Sequence, residues 1–476
     1  MFSGLMSSFQ VTAHGGALHI ARSATVRGDP MILLSRICIT LMCAASAAST
    51  LCAQNITAIV HGEVIDGNGG PPIGDGVVLV RGNRIVAVGP ARSIAVPPGA
   101  RVIDARGKAV LPGLADLHVH LLGGWDGEHA DMLGYQRYLN ALLYAGVTTI
   151  LDTGNSLFFI QQLKQEVAAG RIAGPAIHMV GPLVDGPDPF AAPIAFAVSS
   201  TAQIPGIVRQ LKQAHVDLIK GYSGLSENML GALVRAAAAE SLRVVMDAWE
   251  RNGSALVAET GIAAFAHLAG VPVTEDAVTL MHERHIASIT TLAVYESRSR
   301  RRLADLGFLQ EPLLRESMPP AFAGDLTAFA TRPLSGRDSV FVRELDTRFH
   351  AAMSNVKRMF DAGILLTAGT DAPFPGDFYG EGLHRELELL VESGLTPLQA
   401  ITLATKNAAL FLEEAAEWGT LESGKRADIL IVVGDPARRI SDTHNVDLVM
   451  QGGRVLDRTA LRFDPAKDLG LRPTPP

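Results

Sequence analysis

The chain has 476 residues, of which 48% are hydrophobic, so it is long enough to bury a large core. Its formal net charge is -7, aromatic residues make up 5% of it, and it has no long basic run. This composition argues against a nucleic-acid-binding surface. The length is compatible with two or three domains, or with one large barrel and a smaller satellite.

The N-terminal segment has the pattern of a secretory signal. The stretch from Met31 to Arg36 leads into an apolar run, and small residues continue to Ala53. We therefore predict that residues 1–53 are an N-terminal extension with a signal peptide starting at Met31, and that the protein is exported to the periplasm or secreted. An uncleaved anchor is the alternative, but the apolar run is short for a stable membrane span.

All three cysteines, Cys38, Cys43 and Cys52, lie in this N-terminal segment. Removal of the segment would leave a mature chain without a disulfide, a thiol nucleophile or a thiolate metal ligand. A metal ion would then be held by histidine, by carboxylate or by a modified lysine.

Two stretches with strand and turn patterns flank the middle of the chain. In the first, residues 54–110, two β-branched runs surround a turn at residues 81–83, which is typical of a hairpin. The second, residues 413–476, contains the apolar run Ala427–Val433 and further strand-forming residues. We expect the two stretches to pair into one small β-sandwich domain, although local patterns alone do not establish this pairing.

Residues 111–412, which lie between these stretches, alternate between strand-like and helical segments. Eight parallel strands that alternate with helices form a barrel, whose site lies at the carboxyl ends of the strands. We therefore predict an α/β fold with a TIM-like (β/α)8 barrel. Residues 291–340 form a long insertion after the seventh strand, and such insertions commonly shape a site. The predicted strands are residues 111–120, 146–152, 176–181, 216–220, 242–247, 263–267, 286–290 and 364–369.

The first predicted barrel strand ends in the pattern His118-x-His120. Side chains two positions apart on a strand point to the same side, so both imidazoles can converge on one metal ion. An isolated pair of this kind is more often two core or surface histidines. The position of this pair at the end of an apolar strand favours metal ligands.

Three further polar residues close later predicted strands, namely Lys220, His267 and Asp371. A lysine at the end of a buried strand is costly unless it is paired or modified, or unless its tip reaches solvent. As a CO2-derived carbamate, Lys220 would be an anionic oxygen ligand able to bridge two cations. Taken singly, His267 and Asp371 would more often be structural, as a core histidine and a helix cap. Their shared location favours a metal site, where a carboxylate can also accept a proton from water.

The chain also carries six longer motifs, which are Leu111–His120, Gly146–Thr149, Ile219–Tyr222, Gly369–Asp371, His384–Leu390 and Gly419–Asp428. Together they resemble the motifs of the metal-dependent amidohydrolases, particularly the secreted imidazolonepropionase-like and prolidase-like group. The resemblance covers residues 55–460. It implies a TIM-like barrel with a β-sandwich satellite, one or two divalent metal ions, usually zinc, and hydrolysis of amide-like bonds.

The resemblance also implies roles for individual residues. His118 and His120 would hold one metal ion, and Lys220 as a carbamate would bridge to a second. Asp371 would serve as a metal ligand and as the general base, which makes it one of two predicted catalytic residues, the other being Tyr222.

One position departs from the family pattern. The run Leu242–Trp249 places Asp247 after the fifth strand, where the family normally has a histidine, whereas His267 after the sixth strand is retained. Carboxylate is an acceptable zinc ligand, and we expect Asp247 to remain a ligand. A weaker second metal, a different metal and a disabled site are the alternatives.

Residues near these positions are candidates for substrate contacts. Tyr222 follows Lys220 by two residues, and its hydroxyl could polarise a substrate carbonyl or bind a carboxylate. An ordinary packed tyrosine is the alternative. His384 is a second candidate for the mouth of the site, with a structural role near a helix start as its alternative. The arginines at 298–302 could recognise an anionic group, but a solvated helical face is the more common meaning of such a run.

These patterns predict an exported metal-dependent hydrolase that attacks carbon–nitrogen bonds, in a cyclic amide or a dipeptide, through a metal-activated water. A lactonase or other ester hydrolase is the alternative enzyme, since the same water attacks esters. An impaired amidohydrolase-fold binding protein is the alternative from another class, because of Asp247. The expected partner is a small-molecule substrate, and the sequence leaves a homo-oligomer open.

Overall fold

A computed structural model describes residues 56–124, 131 and 134–465, which belong to one compact unit, Gln54–Pro476. The predicted signal segment and its three cysteines lie outside the described residues. Among the residues described, none of the helices has the length and apolar character needed to cross a membrane.

The strands, numbered in chain order, alternate with helices through the middle of the chain. The strands are β1 Ile56–Val64, β2 Ile73–Arg81, β3 Arg84–Pro90, β4 Arg101–Asp104, β5 Lys108–Pro112, β6 Leu114–Val119, β7 Val147–Asp152, β8 Ala176–Met179, β9 Leu183–Asp185, β10 Ala195–Ala197, β11 Ile219–Gly221, β12 Val244–Met246, β13 Ala264–Phe265, β14 Ala287–Ile289, β15 Leu366–Thr367, β16 Ile429–Val433, β17 Val446–Gln451 and β18 Arg454–Val455. The α-helices are α1 Tyr135–Tyr144, α2 Leu157–Ala168, α3 Ile204–Gln213, α4 Glu227–Ala239, α5 Ala255–Ala258, α6 Glu275–Glu283, α7 Leu292–Arg298, α8 Pro312–Ser317, α9 Pro320–Thr331, α10 Gly336–Asp361, α11 Glu381–Glu392, α12 Pro397–Leu403, α13 Lys406–Phe411 and α14 Arg458–Leu461.

The strands near the two ends of the described chain form one eight-stranded sheet. Its order is β18-β17-β16-β5-β1-β2-β3, with β4 beside β1. Strand β16 runs antiparallel to β5 with Leu430 opposite Leu111, so the predicted pairing of the two stretches is confirmed. Apolar side chains of these strands, among them Ile59, Val110 and Ile431, are buried in one cluster.

The middle of the chain forms two parallel groups of strands. Strands β6, β7 and β8 form one sheet, and β9 to β15 form the other. All eight strands predicted for this region are present, as β6 to β8 and β11 to β15. Two backbone hydrogen bonds link the groups, from Asp217 N to Met179 O at 2.9 Å and from Leu117 N to Ala368 O at 3.1 Å. The carboxyl ends of these parallel strands therefore face a common region.

The insertion at residues 291–340 packs over that region. Its helices bury Leu303, Leu314 and Leu326 in a cluster with Phe378. The insertion lines the cavity at the strand ends. Its contributions to the cavity wall include Val294, Tyr295, Arg298, Phe329 and Arg332.

Candidate metal centre

The end of β6 is fixed to the segment after β15 by a buried carboxylate. Asp116 Oδ2 accepts a hydrogen bond from the Thr370 hydroxyl at 2.8 Å, and its Oδ1 accepts from the Thr370 backbone N–H at 3.0 Å. Burial raises the pKa of Asp116 to about 7. The backbone N–H of Asp371 donates to His118 O at 2.7 Å. These bonds hold Asp371 beside the histidine pair.

His118 and His120 both direct Nε2 towards Asp371. The Nδ1 of His118 lies 2.9 Å from Ala266 O, and that of His120 lies 3.1 Å from Gly154 O. A carbonyl only accepts hydrogen bonds, so each Nδ1 carries the proton and each Nε2 keeps a lone pair. Both Nε2 atoms lie close to Asp371 Oδ1, at 3.2 Å and 3.0 Å.

Burial also sets the charge on the first of these histidines. His118 is fully buried, and burial together with the nearby Lys220 lowers its pKa to about 3. The ring is therefore neutral at pH 7, which is the form that binds a metal ion.

Asp371, in contrast to the neutral ring of His118, is negatively charged. Although burial raises its pKa, its contacts with His118 and His120 outweigh this effect and hold the pKa well below the usual range. The carboxylate is therefore ionised.

Lys220 at the end of β11 is buried beside the side chains of His118 and Asp247. Only 1% of the residue is exposed, and its Nζ lies 3.0 Å from His118 Nε2 and 3.8 Å from Asp247 Oδ2. Burial lowers the pKa of the Lys220 amine, although Asp247 and Asp371 oppose the effect. The lowered pKa makes the neutral form of this amine easier to reach than that of an exposed lysine.

Asp247 occupies the place after β12 where the family resemblance led us to expect a histidine. Its Oδ2 lies 3.1 Å from His267 Nε2, and its Oδ1 accepts a hydrogen bond from Trp249 N at 3.2 Å. Burial raises its pKa, but His267 and Lys220 outweigh this effect and hold the pKa below its usual range. The Nδ1 of His267 lies 2.7 Å from the Thr291 hydroxyl.

The donor atoms of this cluster match the needs of a divalent cation. One ligand atom each from His118, His267 and Asp371 lies within 4.8 Å of the others. Imidazole nitrogen and carboxylate oxygen are the usual ligands of zinc in proteins without cysteine ligands. The carboxylates of Asp247 and Asp371 are buried together with a single lysine, Lys220. A bound cation would compensate the negative charge that this lysine does not balance. The residues present therefore fit a metal ion.

A cavity of about 970 Å³ opens onto this cluster. Tyr222 lines it with only 7% of the residue exposed, and burial raises the pKa of its phenol, which therefore stays protonated. The other predicted site residues in its wall are His120, Lys220, Asp247, His267 and Asp371.

His384 lies elsewhere, and its predicted place at the mouth of the site is wrong. The residue is fully buried on α11, where its Nε2 lies 2.8 Å from Ala145 O. Its ring packs against His444, with the ring centroids 5.1 Å apart. The side chain therefore lies on the buried face of α11 and does not line the cavity.

Sequence reasoning missed the aromatic wall of the cavity. Phe190, Trp249, Phe341 and Phe374 line it, and Phe190 stacks on Tyr222 with ring centroids 6.0 Å apart. Trp249 could have been found, because it follows the strand-end residue Asp247 by two positions. The three phenylalanines stand in separate loops and helices, so no local pattern links them.

Comparisons with known proteins agree with this geometry. The model of the Amidohydrolase family matches residues 109–456. The chain is 28% identical over 425 residues to imidazolonepropionase from Symbiobacterium thermophilum, with 78% of this chain and 89% of that protein covered. It is 22% identical over 383 residues to a 5-methylthioadenosine/S-adenosylhomocysteine deaminase from Moorella thermoacetica, with 76% of this chain and 82% of that protein covered.

A solved structure of a Xaa-Pro dipeptidase with bound methionine in its active site has a similar fold. The TM-score is 0.68 at 21% sequence identity, and the similarity covers 84% of this chain and 99% of the dipeptidase chain. At this identity the likeness concerns the fold alone, in which an α/β region is combined with a β-rich region.

Proposed function

This chain belongs to the amidohydrolase family and is a metal-dependent enzyme that hydrolyses carbon–nitrogen bonds, and we propose that its active site is the polar cluster at the carboxyl ends of β6, β11, β12, β13 and β15. The observation that carries this proposal is the convergence of His118, His267 and Asp371, whose ligand atoms lie within 4.8 Å of one another.

In this proposal the cluster holds one or two divalent ions, with zinc as the expected metal. The ligands are His118, His120, His267, Asp247 and Asp371. When bound, the ion supplies Lewis-acid polarisation of the substrate carbonyl and lowers the pKa of a water molecule. The nitrogen-rich ligand set supports zinc over magnesium or calcium, which prefer oxygen ligands.

Lys220 completes the proposed ligand set as a carbamate formed with CO2. Its burial and its lowered pKa support this modification, because the neutral amine is the form that reacts with CO2. The carbamate would place an anionic oxygen ligand beside His118, whose Nε2 lies 3.0 Å from Lys220 Nζ.

Two residues of the chain act on the substrate in this proposal. The ionised carboxylate of Asp371 accepts the proton of the attacking water and passes it to the leaving nitrogen, as general base and then general acid. The protonated hydroxyl of Tyr222 donates a hydrogen bond to the substrate carbonyl oxygen as negative charge develops there.

The experiment is a turnover assay with cyclic amides, Xaa-Pro dipeptides, N-acyl amino acids and lactones. We expect at least one amide class to be hydrolysed, with activity lost on treatment with a chelator and restored by zinc. Hydrolysis of lactones alone would assign the chain to ester hydrolysis instead. Metal-bound protein without any turnover would indicate a barrel that serves as a binding protein.

The architecture belongs to the same proposal. Strands β6 to β8 and β11 to β15 would close into a (β/α)8 barrel over residues 111–412, and the eight-stranded sheet from residues 54–110 and 413–476 would fold into a sandwich. The hydrogen bonds that join β6 to the segment after β15 support closure. Residues 1–53 would direct export to the periplasm or outside the cell, which N-terminal sequencing of the exported protein would test.

A further inference from the structure

We infer that Arg298 binds a carboxylate of the substrate, so that the enzyme acts on amides that carry a free carboxylate next to an aromatic or other planar group, such as N-acyl aromatic amino acids. The inference rests on the proposed function, because it concerns the same cavity. It adds the chemical class of the substrate and the residue that selects it.

Arg298 ends α7 and lines the cavity that opens onto the proposed metal centre. Its guanidinium carbon lies 5.2 Å from the centre of the Trp249 ring, 5.9 Å from that of Phe341 and 5.7 Å from that of Phe374. Trp249 follows Asp247 by two residues, and Phe374 follows Asp371 by three. The guanidinium is therefore held between the segments that carry two of the proposed metal ligands.

The aromatic cage leaves the hydrogen-bonding edge of Arg298 unused. Within the described residues, no carboxylate or carbonyl oxygen lies within hydrogen-bond distance of its guanidinium. Ring faces attract the charge but accept no strong hydrogen bond from its five N–H donors. The guanidinium is half-buried, is oriented by three rings and lines a cavity. It can therefore bind a carboxylate, which is planar and accepts two parallel hydrogen bonds from it.

Nearby arginines in the same segment are already engaged. Arg301 pairs with Asp346 at 2.8 Å, and Arg302 is buried in an ion pair with Glu381. Arg300 donates hydrogen bonds to the backbone carbonyls of Phe329 and Arg332. The contrast singles out Arg298 as the arginine of this run that remains available to a ligand.

The aromatic wall around Arg298 defines the second part of the substrate. Phe190 and Phe341 remain exposed by 73% and 48%, although both line the cavity. Phe190 lies edge-on to Trp249, with ring centroids 5.8 Å apart. Exposed aromatic rings in a cleft are stabilised when a planar apolar group of a ligand covers them.

Tyr222 connects the aromatic wall to the proposed reacting centre. Tyr222 belongs to both places, since its ring stacks on Phe190 and lies 5.8 Å from Lys220 Nζ. Phe190 also contacts Trp249, whose ring centre lies 5.2 Å from the guanidinium carbon of Arg298, so Tyr222 and Arg298 line the same cavity through adjoining rings. A substrate whose carboxylate meets Arg298 can therefore present its amide at Tyr222.

A binding experiment on the full chain tests the inference without relying on turnover. Calorimetric titration with N-acetyl-L-phenylalanine and with N-acetyl-L-phenylalaninamide compares a carboxylate with its neutral isostere. We expect wild-type protein to bind the carboxylate at least about 10-fold more tightly, the range of a charged hydrogen bond. Arg298→Met should remove this preference, and Arg298→Lys should recover part of it by supplying the charge without the planar fork.

Arg301→Met is the matched control, because it removes a positive charge from the same segment outside the cavity wall, and it should keep the preference. Equal affinity of wild-type protein for the two ligands, binding of neither, or an unchanged preference in Arg298→Met would overturn the inference. Failure of the proposed function is distinguishable from these results, because binding preference would then persist while no amide in the turnover assay is hydrolysed.

Discussion

Asp247 is the residue on which we expect the number of bound metal ions to depend. Its carboxylate points into the cluster and contacts His267 Nε2 at 3.1 Å. A carboxylate has a shorter reach than an imidazole and brings negative charge, so it binds a cation more through electrostatic attraction. The structure places the side chain beside His267, and its role as a metal ligand stays a prediction.

We predict that Asp247→Ala loses bound metal. Loss of an outer partner of a metal ligand typically weakens binding about 10- to 100-fold, and loss of a ligand itself should cost at least as much. Elemental analysis after dialysis against a weak chelator measures the effect. Asp247→His, which restores the expected imidazole, should retain metal at least as well as wild type.

Asp338→Asn is the control for this measurement, because Asp338 lines the same cavity but pairs with Ser335 at the start of α10. It should keep the wild-type metal content. Unchanged metal in Asp247→Ala would show that this carboxylate is not a ligand.

At the level of single residues, strand-end position was the informative signal in the sequence. It indicated His118, His120, Lys220, His267 and Asp371, which the structure brings together in one cluster. His384 was considered because of its position near a helix start, and that position does not reveal which face of the helix is buried. Sequence reasoning also passed over Asp116, whose contact with Thr370 joins residues 254 positions apart.

Helix α7, which carries Arg298, is anchored by a buried carboxylate from α11. Glu386 accepts hydrogen bonds from the Thr290 hydroxyl and from the backbone N–H of Ala293, the latter at 2.7 Å. Burial raises the pKa of Glu386 to about 7. The Glu386 side chain thus accepts hydrogen bonds at the start of α7, where the backbone N–H groups have no partner within the helix.

We predict that Glu386→Ala destabilises the protein by about 2–3 kcal/mol, since buried donors lose their acceptor. Urea unfolding of wild type and variant measures the difference. Glu386→Gln keeps one carbonyl oxygen in the same place and should cost clearly less. Equal stability of wild type and the alanine variant would contradict this account of how α7 is held.

Most of the observed barrel strands are shorter than the predicted ones, at the amino ends as well as at the carboxyl ends. Predicted strands at 263–267 and 364–369 correspond to the shorter β13 and β15. Asp371, beyond β15, has a positive φ of 73°, so the chain has left the extended conformation there. Site residues continue the apolar runs in sequence but turn out of the hydrogen-bonded ladder, and periodicity alone does not reveal that turn.

On the scale of the whole molecule, His444 joins the C-terminal part of the chain to the α/β region. Its Nδ1 lies 2.8 Å from Glu311, and its Nε2 lies 3.4 Å from Glu388 on α11, with Glu381 and the ring of His384 nearby. Burial of the ring lowers its pKa, but the hydrogen bond to Glu311 and the other carboxylates outweigh this, so the pKa is raised.

This shift predicts a pH-dependent contribution to stability. A histidine with a raised pKa in the folded state stabilises the fold fully below its unfolded pKa of about 6.5, and the contribution is lost as pH rises through the folded pKa. The difference in unfolding free energy between wild type and His444→Gln should therefore shrink as pH increases above neutrality. Urea titrations at several pH values measure it, and a constant or growing difference would refute the prediction.

The joining of distant chain segments was the least predictable feature of the molecule. Strand patterns near residues 56–112 and 429–455 were evident, but the contact of Leu430 with Leu111 spans most of the chain and depends on the intervening α/β region. Placement of the insertion over the site followed from its length and position. Its aromatic cage did not, because those rings meet only after folding.

Metal content of the purified full chain tests the central claim most directly. Elemental analysis of wild type should give between one and two equivalents of a divalent metal, and Asp371→Asn should lose most of it. About two equivalents would mean that Asp247 replaces the expected histidine, and about one would mean that the replacement costs the second ion. Wild-type protein that is metal-free and cannot be loaded with zinc would contradict the assignment of this cluster as a hydrolytic metal centre.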